Sequence, residues 1–274
     1  MSRTISFIKM TGAGNDFLVI EARKGLDYRK FAQVACHRTN GIGADGILIL
    51  DKSSKADYRM RIINSDGSEA EMCGNGARCM AAYITAHRNP DKKLFSLETL
   101  AGIILAEAKG EIAHVRLSEP TGYRPEVTID INKRTLRVPY IDTGVPHTLV
   151  YVDNLQDIDV DGIGRAIRFH EAFAPRGTNV DFVEQINKNF VELRTYERGV
   201  EGETKACGTG AVAAGLVTYL KSYSDTTNVN NAKVKVKTAS GEILELTFDM
   251  VASRIQNVWL KGSAKFIAKG EYYY

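Results

Sequence analysis

A five-residue stretch occurs twice in this chain and limits what it can fold into more than any other feature. Cys73-Gly74-Asn75-Gly76-Ala77 runs into the apolar Met80-Ala81-Ala82-Tyr83-Ile84, and Cys207-Gly208-Thr209-Gly210-Ala211 runs into Val212-Ala213-Ala214-Gly215-Leu216-Val217. In both copies a cysteine stands before a Gly-x-Gly turn that opens an alanine-rich segment. This is the pattern of a loop delivering a thiol to the first turn of a buried helix. The N–H groups there lack partners within the helix and lie at the positive end of its dipole. A thiol so placed is predicted to titrate below the value of about 8.5 of free cysteine. The glycines leave the same N–H groups open to an anion such as a carboxylate.

Other landmarks repeat in the same order. Thr11-Gly12-Ala13-Gly14-Asn15-Asp16, followed by the strand-like Phe17-Leu18-Val19-Ile20, returns as Thr143-Gly144-Val145-Pro146-His147-Thr148 before Leu149-Val150-Tyr151-Val152, an offset of 132. Gly41 to Gly46, leading into Ile47-Leu48-Ile49-Leu50, has its counterpart in Arg176-Gly177-Thr178-Asn179, leading into Val180-Asp181-Phe182-Val183, at an offset near 134. Alternating runs with the period of a strand end at Asn64, nine residues before Cys73, and at Glu197, ten before Cys207. Thr99 to Leu105 and Thr238 to Leu244 form a further pair, offset by 139. A short helix is expected between residues 28 and 37.

Landmarks displaced by a nearly constant interval indicate an internal duplication, and the interval is far longer than the 20 to 50 residues of a solenoid repeat. The fold class read from this is α+β: two pseudo-symmetric domains, each a strand-rich unit around one principal buried helix. They are expected to divide near residues 118 to 125, where Ser118-Glu119-Pro120-Thr121-Gly122 breaks the pattern. A site is then expected in the cleft between the domains, with one helix N-terminus and one thiol from each.

Composition excludes several classes. Hydrophobic content of 44% and charged content of 25% over 274 residues are those of an ordinary globular protein. A net charge of +3 without a basic, aromatic-rich block argues against nucleic acid as a partner. Cys36, Cys73, Cys79 and Cys207 lack paired Cys-x-x-Cys spacing, so no metal site is expected and a reducing compartment fits best. The start has no signal-peptide core and no run approaches the roughly 18 apolar residues of a membrane span. A cytoplasmic protein without membrane contact is the expectation.

Two thiols placed on either side of a small molecule can take a proton from one face of a carbon and deliver one to the other, inverting its configuration. The α-proton of an amino acid is very weakly acidic, so the carbanionic transition state needs strong stabilisation. Two helix N-termini aimed at the substrate carboxylate would supply preorganised donors. Neither a metal motif nor a pyridoxal-lysine context is present, which predicts cofactor-free catalysis.

Lys9-Met10-Thr11-Gly12-Ala13-Gly14-Asn15-Asp16-Phe17, Asn64-Ser65-Asp66-Gly67-Ser68-Glu69, both cysteine motifs, Pro146-His147, Asn179-Val180-Asp181-Phe182 and Tyr196-Glu197-Arg198-Gly199 together resemble the diaminopimelate epimerase family over nearly the whole chain. The resemblance implies cofactor-independent, two-base interconversion of LL- and meso-diaminopimelate, on the route to lysine and peptidoglycan precursors. It also implies a homodimer of two mirrored barrel-like domains, residues 1–120 with 264–274 and residues 121–263. Cys73 and Cys207 would be the acid and base, with His147 and Glu197 supporting proton transfer or holding the reacting amine. Asn15, Asn64, Asn179, Glu197 and Arg198 would contact the substrate, and Gly74, Asn75, Gly208 and Thr209 would supply main-chain donors. Arg198 offers a planar fork suited to a distal carboxylate. Cys36 and Cys79 read as buried hydrophobes.

Two positions depart from the family pattern: Gly46 stands where glutamine is frequent, and Val145 where asparagine often precedes Pro-His. Both lack a side-chain amide expected near the distal end of the substrate. The alternative readings are another two-thiol racemase, of proline or hydroxyproline type, and a non-catalytic amino-acid-binding protein. Arg198 and the retention of both cysteines respectively argue against them.

Overall fold

The computed structural model describes residues 4–131, 133–224 and 226–274. The chain forms two compact units, one running up to Arg116 and resuming over Lys261–Tyr274, the other spanning Leu117–Leu260.

In the first unit β1 (Thr4–Gly12) and β2 (Asn15–Glu21) form a hairpin closed by Ala13 and Gly14, both at positive φ. That is the conformation a two-residue hairpin turn demands. Helix α1 (Tyr28–Ala35) follows, its first turn capped by the Asp27 carboxylate, which accepts from the N–H groups of Arg29 and Lys30. Then come β3 (Gly46–Asp51), β4 (Tyr58–Asn64), the short β5 (Glu69–Ala70), α2 (Gly74–His87), β6 (Leu94–Thr99), β7 (Gly102–Lys109) and β8 (Ile112–Arg116).

The second unit contains β9 (Thr121–Ile131), β10 (Arg134–Asp142), β11 (Pro146–Tyr151), α3 (Val160–Arg168), β12 (Asn179–Asn187), β13 (Phe190–Glu197), β14 (Gly202–Thr204), α4 (Gly208–Ser222), β15 (Val229–Lys237) and β16 (Ile243–Val251). β17 (Arg254–Ser263) leads out of it, and β18 (Lys265–Tyr273) belongs to the first unit, where it pairs antiparallel with β1.

Strand pairing shows the duplication. In the first unit β1–β2 is antiparallel, β2–β3 parallel, β3–β4 and β4–β5 antiparallel, β4–β6 parallel and β6–β7 antiparallel. In the second, β10–β11 is antiparallel, β11–β12 parallel, β12–β13 and β13–β14 antiparallel, β13–β15 parallel and β15–β16 antiparallel. The sequence of connections is the same, and the β18–β1 pair of one unit corresponds to the β9–β10 pair of the other.

Each unit is built around its cysteine-led helix. Every residue of α2 from Asn75 to Ile84 is buried, as is every residue of α4 from Gly210 to Tyr219. Helices apolar on all sides must be enclosed on all sides. Around α2 this is done by Met10, Phe17, Leu48, Ile62, Leu97 and Val115 from six strands. Alanines and glycines along both helices let the strands approach closely: a Cβ on Gly215 would lie 2.7 Å from Leu246 Cδ2. The first unit has a second core in which Phe31 and Ala35 of α1 meet Leu18, Ile47 and Ile63.

The second unit holds one helix the sequence reading did not anticipate. α3 contains Gly162 and Gly164, which weaken helix propensity. A Cβ at residue 164 would sit 2.5 Å from Tyr196 Cβ, so packing against β13 sets that residue, not local preference. Among the described residues no helix is long and apolar enough to cross a membrane.

Candidate active site

The two cysteines occupy the same structural position in their units. Cys73 is the N-cap of α2, in extended conformation, with Sγ accepting the Gly76 N–H at 3.4 Å. Cys207 is the N-cap of α4, also extended, with Sγ accepting the Gly210 N–H at 3.4 Å. The second glycine of each motif is fixed by space, since a Cβ on Gly76 would lie 2.9 Å from Leu48 Cδ2 and one on Gly210 would lie 2.6 Å from Asp181 Oδ1. Cys36 and Cys79 are buried in the two cores of the first unit. Burial, with Asp16 and Asp45 nearby, pushes the Cys36 thiol up to about 12, which makes it inert.

In the first unit a chain of amides runs beside Cys73. Asn75, two residues into the motif, donates to Asn15 Oδ1 at 2.7 Å, and Asn15 donates to Asp45 Oδ2 at 2.8 Å. The fully buried Arg78 donates to Asn75 Oδ1 at 2.7 Å. Asp45 is held in turn by Arg38, which also forks onto Asp16. Burial raises the Asp16 carboxyl, but hydrogen bonds from Arg38 and Lys9 outweigh it and hold the group below its usual range. The Asn64 side chain stands apart from this chain and donates to Ser68 Oγ at 2.9 Å.

In the second unit the corresponding wiring is made of different groups. Thr209, two residues into the motif, has Oγ1 3.3 Å from Cys207 Sγ and 3.0 Å from His147 Nε2. His147 lies 132 positions beyond Asn15, so the residue leaving the first hairpin meets the residue two past the cysteine in both units. His147 Nδ1 is 2.7 Å from Asp181 Oδ2, and both side chains are fully buried. Asp181 also accepts from Thr195 Oγ1 at 2.8 Å, directly across the β12–β13 ladder. Asn179 is buried beside them: its amide donates to the Pro146 carbonyl at 3.0 Å, and its Oδ1 accepts the Arg198 N–H at 2.8 Å. The Arg198 guanidinium donates to the Arg176 carbonyl at 3.2 Å.

One expectation is corrected. A helix N-terminus alone would lower the Cys207 pKa, yet the thiol is held well above its ordinary value. Burial is the chief cause, the nearby Glu197 and Asp181 carboxylates add to it, and bonds from Thr209 and Gly210 only partly oppose them. Burial likewise raises Glu197, against the opposing Thr204 hydrogen bond and His147.

The sequence reading gave no role to Asp45, Arg78 or Asp181. Each carried a readable signal, being a charged residue inside an otherwise apolar or glycine-rich stretch.

The chain matches the family described as diaminopimelate epimerase over residues 7–121 and 139–267. It belongs to the diaminopimelate epimerase family. The unmatched residues between these segments include β9 after Thr121 and the start of β10. Among curated members it is 39% identical over 281 residues to the diaminopimelate epimerase of Aquifex aeolicus, covering 97% of each chain. It is 40% identical over 263 residues to that of Archaeoglobus fulgidus, covering 89% of this chain and 90% of the other. Among solved structures, its fold is that of a PhzF-family phenazine biosynthesis protein from Bacillus anthracis, with a TM-score of 0.71 at 18% identity over 99% of this chain and all of the other. A hydroxyproline epimerase from Agrobacterium vitis has the same fold, with a TM-score of 0.68 at 16% identity over 99% of this chain and 93% of the other. Both thiols of this chain are helix caps, Cys73 beside a chain of amides and Cys207 beside a hydroxyl that contacts an imidazole.

Proposed function

We propose that this chain is an isomerase interconverting LL- and meso-diaminopimelate, in the biosynthesis of lysine and peptidoglycan precursors, with Cys73 and Cys207 as its two acid–base groups. The observation that carries the reading is the repeated cap, a thiol accepting the N–H three residues on at the head of a buried helix in each unit. The remaining N–H groups of each helix start, those of Gly74 and Asn75 and of Gly208 and Thr209, suit a carboxylate on which charge builds as the α-proton leaves. In each turnover one thiol group would donate a proton as the other takes one. The roles exchange in the reverse direction.

His147, with one imidazole edge toward Thr209, and Glu197, at the end of β13, would hold the reacting amine or support the transfers. Asn15, Asn179 and Arg198 would contact the polar ends of the substrate, and Asn64 would do so only by exchanging its bond to Ser68. Gly46 has a reason in the fold: a Cβ there would lie 2.6 Å from the Ile63 carbonyl oxygen, so this strand pairing has no room for the glutamine side chain. Four cysteines without a disulfide fit a cytoplasmic location. A homodimer is the expected state, testable by light scattering.

The test is proton exchange in heavy water. Purified protein given LL-diaminopimelate should incorporate deuterium at one α-carbon as the meso isomer forms, without added cofactor. A protein that binds the amino acid but leaves the α-proton in place would overturn the reading.

A further inference from the structure

Four side chains of the second unit form an unbroken hydrogen-bonded line: Cys207 Sγ, Thr209 Oγ1 at 3.3 Å, His147 across a further 3.0 Å, and Asp181 2.7 Å beyond its other nitrogen. The chemistry of the end member fixes the direction of every bond. A carboxylate only accepts, so His147 Nδ1 carries a proton and donates it to Asp181. Nε2 of the neutral ring is then an acceptor, Thr209 O–H donates to it, and the Cys207 S–H donates to Thr209. The second Asp181 oxygen is occupied by Thr195, which holds the carboxylate in place.

We propose that Asp181 is a positioning residue that fixes the His147 tautomer, so that Cys207 and His147 exchange a proton through the Thr209 hydroxyl. When Cys207 must become a base, its S–H bond breaks as an O–H bond forms on Thr209. The original Thr209 O–H bond breaks as an N–H bond forms on His147 Nε2. The products are a thiolate and an imidazolium facing the Asp181 carboxylate, and no atom or electron is gained or lost. The reverse passage restores the thiol, which resets the unit between turnovers in opposite directions.

In the first unit the groups in the matching places are the Asn75 and Asn15 amides, which do not exchange protons in this way. Other groups set the balance at Cys207. Glu197 on β13 and Asp181 on β12 both disfavour the thiolate, and Tyr151 on β11 bonds to Thr218 of α4 at 3.0 Å.

The inference rests on the reading that Cys207 exchanges a proton with substrate, yet it can be tested without substrate. The measurement is the rate at which iodoacetamide alkylates Cys207 in the full chain, followed across pH by peptide mass spectrometry. In Asp181→Asn the amide presents N–H to His147 Nδ1, reverses the tautomer and turns the line around. The Thr209 hydroxyl then donates to Cys207 Sγ, and His147 Nε2, already protonated, no longer takes the thiol's proton. The kcat should fall about a hundredfold with little change in KM. Thr209→Ser should alkylate like the parent, and Thr209→Val about tenfold more slowly.

A carboxylate acting by charge alone predicts a parental or higher kcat, since removing it makes the nearby thiol easier to ionise. A parental kcat in Asp181→Asn overturns the proposal, as does equal alkylation of the Ser and Val variants. If Asp181→Asn does not fold, the Thr209 pair decides. Activity surviving in Cys207→Ala would sink the two-thiol reading while leaving the alkylation result standing by itself.

Discussion

Cys207 illustrates how a residue's neighbours across the sheet can outweigh its position on a helix. The helix start favours the thiolate, but burial and two carboxylates favour the thiol, and the second set wins. Replacing either Cys73 or Cys207 by alanine should abolish epimerisation with the fold intact, whereas Cys36→Ala and Cys79→Ala should keep most of it. Turnover near the parental level in Cys207→Ala would refute the assignment. Cys36 gives a separate prediction for stability. Its folded pKa of about 12 exceeds the unfolded value, so its contribution is fully present below the unfolded pKa and is lost as pH rises toward 12. Between pH 9 and 11, denaturant titrations should show Cys36→Ala losing less stability than the parent, by about 1.4 kcal/mol for each pH unit. Equal slopes would mean that Cys36 ionises in the folded protein.

Arg198 tests the substrate. If it grips the distal carboxylate, lysine, which lacks that group, should be processed more than about a hundredfold less well than LL-diaminopimelate. This follows from the roughly 3 to 5 kcal/mol lost when one partner of such a pair is removed. Arg198→Lys should also impair turnover, because an ammonium cannot form two parallel bonds. Comparable kcat/KM values for diaminopimelate, lysine and proline would move the reading toward a broader amino-acid racemase.

Among the elements, what could be read from sequence was whatever depends on local pattern. The cysteine-led helices, the glycine turns and the alternating strands β4 and β13 are encoded by residues adjacent along the chain. Helix α3 was not legible, because Gly164 looks like a breaker until Tyr196, far along the chain, is seen to need the space. Asp181 was visible as a motif member, but its partners His147 and Thr195 reach it only through strand pairing. Packing on α4 is tight enough to predict a cost. Gly215→Val forces a branched side chain against Leu246 and should destabilise the second unit by about 1 to 3 kcal/mol, measured as a lower denaturation midpoint. A change of less than a few tenths would show that β16 yields easily.

For the whole molecule, the return of the chain to its first unit matters most. β18 pairs with β1 from Thr4 to Thr11, and Tyr272 and Tyr274 pack edge-on against Phe31 at 5.8 and 5.4 Å. Ending the chain before Lys265 would strip β1 of this partner and open the Phe31 core. The truncated protein should be insoluble or lose its cooperative melt, and a soluble product with parental near-UV circular dichroism would show that β18 is dispensable.

The repeated strand order also bears on ancestry. A half-length forebear would carry a single thiol per polypeptide, need two copies to hold a pair, and express every mutation beside it in both at once. Fusion of two such halves removes that coupling. One can then drift toward the amide pair Asn75 and Asn15, while the other acquires the hydroxyl–imidazole pair Thr209 and His147. Specialisation of the two halves is thus something that only the joined gene can inherit.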